Sequence, residues 1–349
     1  MPTTQQEILK ALSTVQDPER KQDVVSLGYV KDLRIEEGKV HFRIESAIPP
    51  GALRDRIKAQ AEQAVSRLAG VSAAEVLITS LIQKSPRPLI KNIVPVASGK
   101  GGVGKSTVSV NLALALAKQG ARVGIMDADV YGPTVPTLLG LRGKPQAEAD
   151  NRLIPMEAHG LKVMSMGFFI PEGEAVVWRG PMLHKAIEQF WGGVLWGELD
   201  YLIVDLPPGT GDVQLSLCQT IPLTGAVIVS TPQEVALQVA TKAIAMFKKL
   251  NCPLLGLIEN MSYYLCSHCG KREEIFGSGG ARKASEKLGI PFLGEIPLAT
   301  TLRISSDEGK PVVVSDPSSS ISKAFFQVAD GLTASIQKKG TPEGIKISF

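Results

Sequence analysis

The chain has 349 residues, 44% of them hydrophobic and 21% charged, with a formal net charge of +4. That length suits one large domain and one small one, and the balance is that of a soluble globular protein. So small a charge says little about nucleic acid or membranes, and no apolar run approaches membrane-spanning length; neither partner is expected.

In chain order, TTQQEILKALSTVQ has helical periodicity, and VVSLGYVKDLRIEEGKVHFRIES alternates as strands turned at EEG. GALRDRIKAQAEQAVSRLAG is an amphipathic helix ended by Gly70, and VSAAEVLITSL closes as a strand. Residues 1–83 therefore predict a small α+β domain able to fold alone. QKSPRPLIKN, with Pro86 and Pro88, reads as an extended linker over 84–91 whose Lys84, Arg87 and Lys91 are solvated. From Asn92 to Phe349 apolar strands alternate with helices, the pattern of a mostly parallel α/β sheet flanked by helices. The strands IVPVAS, ARVGIMDAD, LDYLIVDLPP and GAVIVSTP end at Ser98, Asp127, Asp205 and Thr231, and ligands of open α/β sheets bind at such carboxyl ends. LLGLIENM and PFLGEIP are two further strands. Residues 131–198 break this rhythm with Gly, Pro and WRGPM, and read as an insertion beside the site. SDPSSS reads as a turn.

GKGGVGKS, residues 99–106, matches G-x-x-x-x-G-K-[ST] between a strand and a helix, which predicts a P-loop NTPase. Gly99, Gly101, Gly102 and Gly104 let the backbone curl so that its N–H groups face phosphate oxygens. With Lys100, Val103 and Thr107 they form the expected ATP-binding loop. Lys105 supplies a point charge to the β- and γ-phosphates, Ser106 a hydroxyl to Mg²⁺, and the following helix its positive end. Asp127 and Asp129 in DADVYGP can divide labour, one near Mg²⁺ and one orienting the attacking water. The assignment is Asp127 to the metal side and Asp129 to the water, with Asp205 as a second Mg²⁺ carboxylate. The Pro-Pro-Gly run after Asp205 is placed to sense the γ-phosphate.

Four cysteines in a chain whose opening lacks a basic-then-apolar leader favour metal or redox chemistry over structural disulfides, and a cytoplasmic setting. Cys266 and Cys269 form a C-x-x-C followed by glycine, able to chelate one soft metal centre. Cys218 and Cys252 stand in apolar surroundings and read as buried small hydrophobes, and His268 as a bystander. Two thiolates are half of a four-sulfur site, which a symmetric dimer would complete. From spacing alone, a bridging zinc and an iron–sulfur cluster are chemically equal.

The second lysine of the loop, Lys100, resembles the deviant Walker loop of the MinD, ParA and nitrogenase-iron-protein group. That resemblance implies a homodimer in which Lys100 reaches the partner's nucleotide. Asn260, in ENMS, resembles the group's base-recognition segment, which implies a contact to adenine. GKGGVGKS, DADVYGP, WRGPM, DLPPGTGD, STPQEVAL, ENMSY and CSHCG, in this order over about residues 92–315, resemble the Mrp/ApbC family. The resemblance implies an ATP-hydrolysing carrier of a [4Fe-4S] cluster held by Cys266 and Cys269 at a homodimer interface. Its partners would be apo iron–sulfur proteins and cluster-assembly scaffolds, and its catalytic residues Lys100, Lys105 and Asp129. The first 83 residues resemble the small assembly domain often fused ahead of Mrp, but AIPPGALRD lacks the cysteine common in its central turn, so a docking role is expected. The other readings are a MinD- or ParA-like positioning ATPase and a zinc-bridged scaffold ATPase. The tail TASIQKKGTPEGIKISF, broken at Gly340 and Pro342, suits membrane attachment poorly.

Overall fold

Alternation in KVHFRIES becomes a two-faced strand, with Val40, Phe42 and Ile44 buried and His41 and Arg43 half-buried on the other side. The computed structural model describes residues 3–18, 21–36, 38–46, 52–80, 89–148, 152–170, 180–266 and 268–339. By its contacts the chain divides into two units, Met1–Ser85 and Pro86–Phe349.

In the first unit, α1 (Gln5–Leu12) is opened by a reciprocal capping box between Thr4 and Glu7. The short bridge of β1 (Gln16–Asp17) and β2 (Gln22–Asp23) follows, then β3 (Val30–Glu36), β4 (Lys39–Ser46), α2 (Ala52–Ser66) and β5 (Ala73–Ser80). β3 pairs antiparallel and β5 parallel with the central β4. The parallel pair needs a crossover, and α2 provides it. Ile8, Leu12, Ile57, Ala61 and Val65 from the helices close over Val40, Phe42 and Ile44. Val24 to Gly28, expected as strand, instead turn, because the Asp23 carboxylate accepts the N–H groups of Val25 and Ser26. The cysteine-free turn at 47–51 lies outside the described residues, as do 84–88 of the expected linker. Ile90 and Lys91 already open the first strand of the second unit, where Lys91 pairs with Asp200 at 2.8 Å.

That unit runs β6 (Ile90–Ser98), α3 (Lys105–Lys118), β7 (Val123–Asp127), α4 (Val135–Leu138), β8 (Met156–Ala158), β9 (Leu161–Ser165), α5 (Gly180–Gly192) and β10 (Leu199–Asp205). It continues α6 (Asp212–Thr220), β11 (Ala226–Ser230), α7 (Glu234–Lys249), β12 (Leu254–Leu265), β13 (Arg272–Glu273), α8 (Gly280–Leu288), β14 (Phe292–Leu298), α9 (Thr300–Asp307), α10 (Val312–Ser315) and α11 (Ser320–Lys339). The sheet order is β13-β12-β11-β6-β10-β7-β9-β8, with β14 parallel on β12. Only β8 and β13, at its margins, pair antiparallel. Residues 131–198 are thus no detached insertion: β9 lies in parallel register on β7, and its buried Leu161, Val163 and Met164 join the core. Helix α3 is buried on nearly every side, from Val108 to Leu116, since it packs on the sheet, on α10 and on α11. This explains its small, largely apolar sequence. No described helix is long and apolar enough to cross a membrane.

Parallel register fixes the chemistry. β10 lies between β6 and β7, with Asp205 opposite both Val96 and Asp127. Two strand ends therefore bring two carboxylates side by side beneath the glycine loop.

Candidate functional site

The glycine loop spans the gap between Ser98, where β6 ends, and Lys105, where α3 starts. Its glycines do different jobs. Gly102 and Gly104 have φ of 80° and 78°, a backbone that side chains rarely adopt. Gly99 is required for closeness: a Cβ there would collide with the α7 backbone at Val239 and Ala240. A cleft of about 290 Å³ opens above, lined by Ser98, Lys100 to Thr107, Asp129, Gly132, Thr134, Leu138 and Pro208. Its floor carries the free N–H groups of the first turn of α3, suited to an anion.

Under the loop, the Lys105 ammonium lies 2.8 Å from Asp205 Oδ2 and 3.8 Å from Asp129 Oδ2. Ser106 donates its hydroxyl to the same Asp205 oxygen at 2.6 Å, and Ser109 donates to Asp205 Oδ1 at 2.6 Å. Asp129 faces the cleft, and its pKa is raised by burial and by Asp205, with Lys105 pulling the other way. Lys105, Ser106, Asp129 and Asp205 are therefore together, as expected from the sequence. Lys100 is exposed at the cleft mouth, and among the described residues no carboxylate lies within 4.0 Å of its ammonium.

Two expected residues stand elsewhere. Asp127 does not line the cleft: it is fully buried, with Oδ1 accepting from the Asp129 N–H and Oδ2 from the Val135 N–H and the Ser165 hydroxyl. Burial first, and the neighbouring Asp205 charge second, push its pKa up to about 8. It braces the loop from 127 to 135, and register with Asp205 leaves it behind the cleft, apart from the expected Mg²⁺ residues Ser106 and Asp205. Asn260, expected at the adenine, is also buried, and its amide donates to the Val103 carbonyl at 2.8 Å. It props the loop from behind.

Cys266 and Cys269 occupy the tip of the hairpin joining β12 and β13. The Cys266 N–H bonds the Lys271 carbonyl, and the Gly270 N–H bonds the Cys266 carbonyl. The Cys266 thiol has a lowered pKa because the backbone N–H groups of Cys269 and His268 point at it. Cys269 is exposed and Cys266 half-buried. Arg272 fixes the returning strand, stacking 3.9 Å from the Tyr263 ring and pairing with Glu295 at 3.2 Å. Among the described residues no group of three or more His, Cys, Asp or Glu could hold a metal. The hairpin offers two preorganised soft ligands and no more, which fits half of a four-thiolate centre. Cys252 is buried as expected, whereas Cys218 is only partly so.

Sequence reasoning misses the supports. Ser109 was hidden in an apolar helix and Ser165 in the stretch taken as an insertion; their one signal is a hydroxyl amid small apolar residues. Gln214, fully buried, donates to the carbonyls of Pro207 at 2.8 Å and Gly209 at 3.2 Å, fixing the Pro-Pro-Gly loop. Glu259, also fully buried, accepts from the Ser262 hydroxyl and from the N–H groups of Gly279 and Ala281 at the start of α8.

Residues 89–333 match the ParA family described as NUBPL iron-transfer P-loop NTPase, and residues 5–78 match an iron–sulfur cluster assembly protein family. The chain is 46% identical over 340 residues to an iron–sulfur cluster carrier protein of Deinococcus radiodurans, covering 96% of this chain and 97% of that one. It is 41% identical to the protein of that name in Escherichia coli K12, over 97% and 94% of the two chains. Among solved structures, it resembles a nucleotide-binding protein of Archaeoglobus fulgidus in complex with ADP, at 43% identity and a TM-score of 0.59, covering 68% of this chain and 92% of that chain. The septum site-determining protein MinD of Pyrococcus horikoshii, at 22% identity and a TM-score of 0.54 over 71% of this chain and 98% of its own, shares the fold.

Proposed function

The chain belongs to the NUBPL iron-transfer P-loop NTPases, and from that premise we propose that it works as an ATP-hydrolysing homodimer that carries a [4Fe-4S] cluster between its subunits to apo-proteins. The observation that carries this reading is the hairpin itself: two thiols, one with N–H groups aimed at its sulfur, and no third ligand among the described residues. A second copy of the same hairpin supplies the other two thiolates. The carrier relatives, matched along nearly their whole length, support the same cargo.

In this reading the N–H groups from Gly101 to Ser106 surround the ATP phosphates, and Lys105 neutralises the β- and γ-oxygens. Ser106 and Asp205 hold Mg²⁺, which offsets phosphate charge. Asp129, at the cleft wall, orients the attacking water, and Lys100 reaches the partner's nucleotide. The loop from Pro207 to Gly211, fixed by Gln214, reads the γ-phosphate. The first unit docks apo-proteins or assembly scaffolds. Thiols that must remain reduced to bind iron fit a cytoplasmic setting.

Anaerobic reconstitution of variants tests the ligand set. Cys266→Ala and Cys269→Ala are expected to lose all visible cluster absorbance while binding ATP as the parent does, and Cys218→Ala and Cys252→Ala to load normally. A cluster retained by either of the first two, or lost in the second two, would refute it.

A further inference from the structure

We propose that Asn260 and Met261 link the phosphate loop mechanically to the cysteine hairpin, so that nucleotide at one end of β12 alters the exposure of Cys266 at its other end. The proposal rests on the nucleotide reading of the cleft but not on the identity of the cargo.

Four observations on one strand lead to it. The buried Asn260 amide holds the Val103 carbonyl at 2.8 Å, across 157 positions of sequence. Gly104 has no room for a Cβ because that same amide occupies the space, and Met261 Cε lies 3.6 Å from where the Cβ would be. Any rotation of the Val103 and Gly104 peptides therefore pushes on both residues. Met261 itself has φ of 55°, left-handed without being glycine. The pairing of β12 with β14 loses register at this point, with Asn260 opposite Ile296 but Tyr264 opposite Leu298. Four steps along β12 thus match two along β14, which leaves the intervening backbone outside the regular ladder.

The two sides of this break are held differently. Before it, Glu259 is anchored by the Gly279 and Ala281 N–H groups, and the Ser262 hydroxyl reaches back to it across the break. After it, Tyr263 stacks on Arg272 and Tyr264 and Leu265 pair with Glu273 and Arg272, so this end of the strand is bound to the hairpin that turns at Cys266. Motion imposed on Asn260 and Met261 is blocked towards Glu259 and passes into the paired β12–β13 hairpin that carries Cys266. Phosphates that draw the Gly104 N–H inward reorient the Val103 carbonyl, because that carbonyl and that N–H belong to one rigid peptide plane. The Asn260 bond passes that rotation to β12. A residue held in the left-handed region has an alternative, more populated basin to relax into, which gives the link two discrete positions.

The test uses the full, metal-free, reduced chain and measures alkylation of each cysteine by peptide mass spectrometry. Saturating ATP or ADP is compared with no nucleotide, and occupancy is verified by a fluorescent nucleotide. In the parent, nucleotide should change the Cys266 rate by about fivefold or more, the lower range of allosteric coupling. Asn260→Asp has the same shape but loses the donor, and Met261→Gly relaxes the left-handed position. Both should reduce that change to less than about twofold while nucleotide stays bound. Cys252, away from the hairpin, should respond in none of them and reports on folding. No nucleotide effect in the parent, or an undiminished effect in both variants, overturns the proposal. So does an effect that vanishes in Lys100→Ala with nucleotide bound, since partner shielding would then explain it. Because the readout needs no cluster, failure of iron loading leaves this result to stand or fall separately.

Discussion

Lys105, Ser106 and Ser109 converge on one buried carboxylate, Asp205, at 2.6 to 2.8 Å, whereas Cys266 and Cys269 stand at the tip of a hairpin whose second strand is two residues long. The buried network of the first region closes within one chain; on the proposed reading the second is half of a site. The contrast has a physical basis. Buried charges must be paired and hydrogen-bonded where they stand, so a nucleotide site built on strand ends needs its supports in the same core. A cargo that must leave needs the opposite: few ligands, at a margin, shared with something that can move.

The largest effect should come from the completed side. Lys105→Ala removes the cation between Asp129 and Asp205 and is expected to lower ATP turnover by about a hundredfold or more, as loss of a principal electrostatic stabiliser does. Steady-state hydrolysis at the parent rate would break the comparison at its stronger end. Next, Lys100→Ala should weaken turnover more than nucleotide binding, because that ammonium is exposed and outside the buried network. Mixing Lys100→Ala chains with Asp129→Ala chains sharpens the point. A lysine acting across the interface lets a mixed dimer rebuild one intact site, while a lysine acting within its own chain restores nothing.

The smallest effect concerns Asp127. Its pKa is raised in the folded protein to about 8, above the ordinary aspartate value of 3.8, by burial and by Asp205. Between those values the folded state keeps a proton that the unfolded state releases, so stability falls as pH rises across that window and levels off above it. Metal-free, nucleotide-free protein should accordingly lose Tm between pH 5 and pH 8 more steeply than Asp127→Asn, which carries no such proton. Parallel Tm profiles would mean that Asp127 is ionised throughout.

Much of this is legible in the sequence because it is local. A strand, a glycine loop, Lys105 and Ser106 are contiguous, and Asp205 ends a short apolar run of the length a buried parallel strand has. The hairpin cysteines are legible for the same reason. What escapes depends on register and depth. Asp127 and Asp129 look equivalent in DADVYGP, yet β7 ends at Asp127, which stays in the core, and the loop that follows carries Asp129 to the cleft. Asn260 ends a strand as a ligand-reading residue would, but whether its amide meets a base or a carbonyl depends on Val103, far away in sequence. Residues 131–198 hide β9 because Lys162 interrupts LKVMS, which lacks the continuous apolar run of the equally short β11. Gln214 and Glu259 carry no signal, since Gln214 bonds only backbone carbonyls and Glu259 takes its α8 N–H partners from twenty residues away.

The central claim, that one chain supplies half of a cluster site, is tested most directly by counting iron and sulfide against subunits after anaerobic reconstitution. The account predicts about four iron and four sulfide per two chains, on a species that sizes as a dimer. Stoichiometric zinc that iron and sulfide cannot replace, or a complete cluster on a monomer, would contradict it.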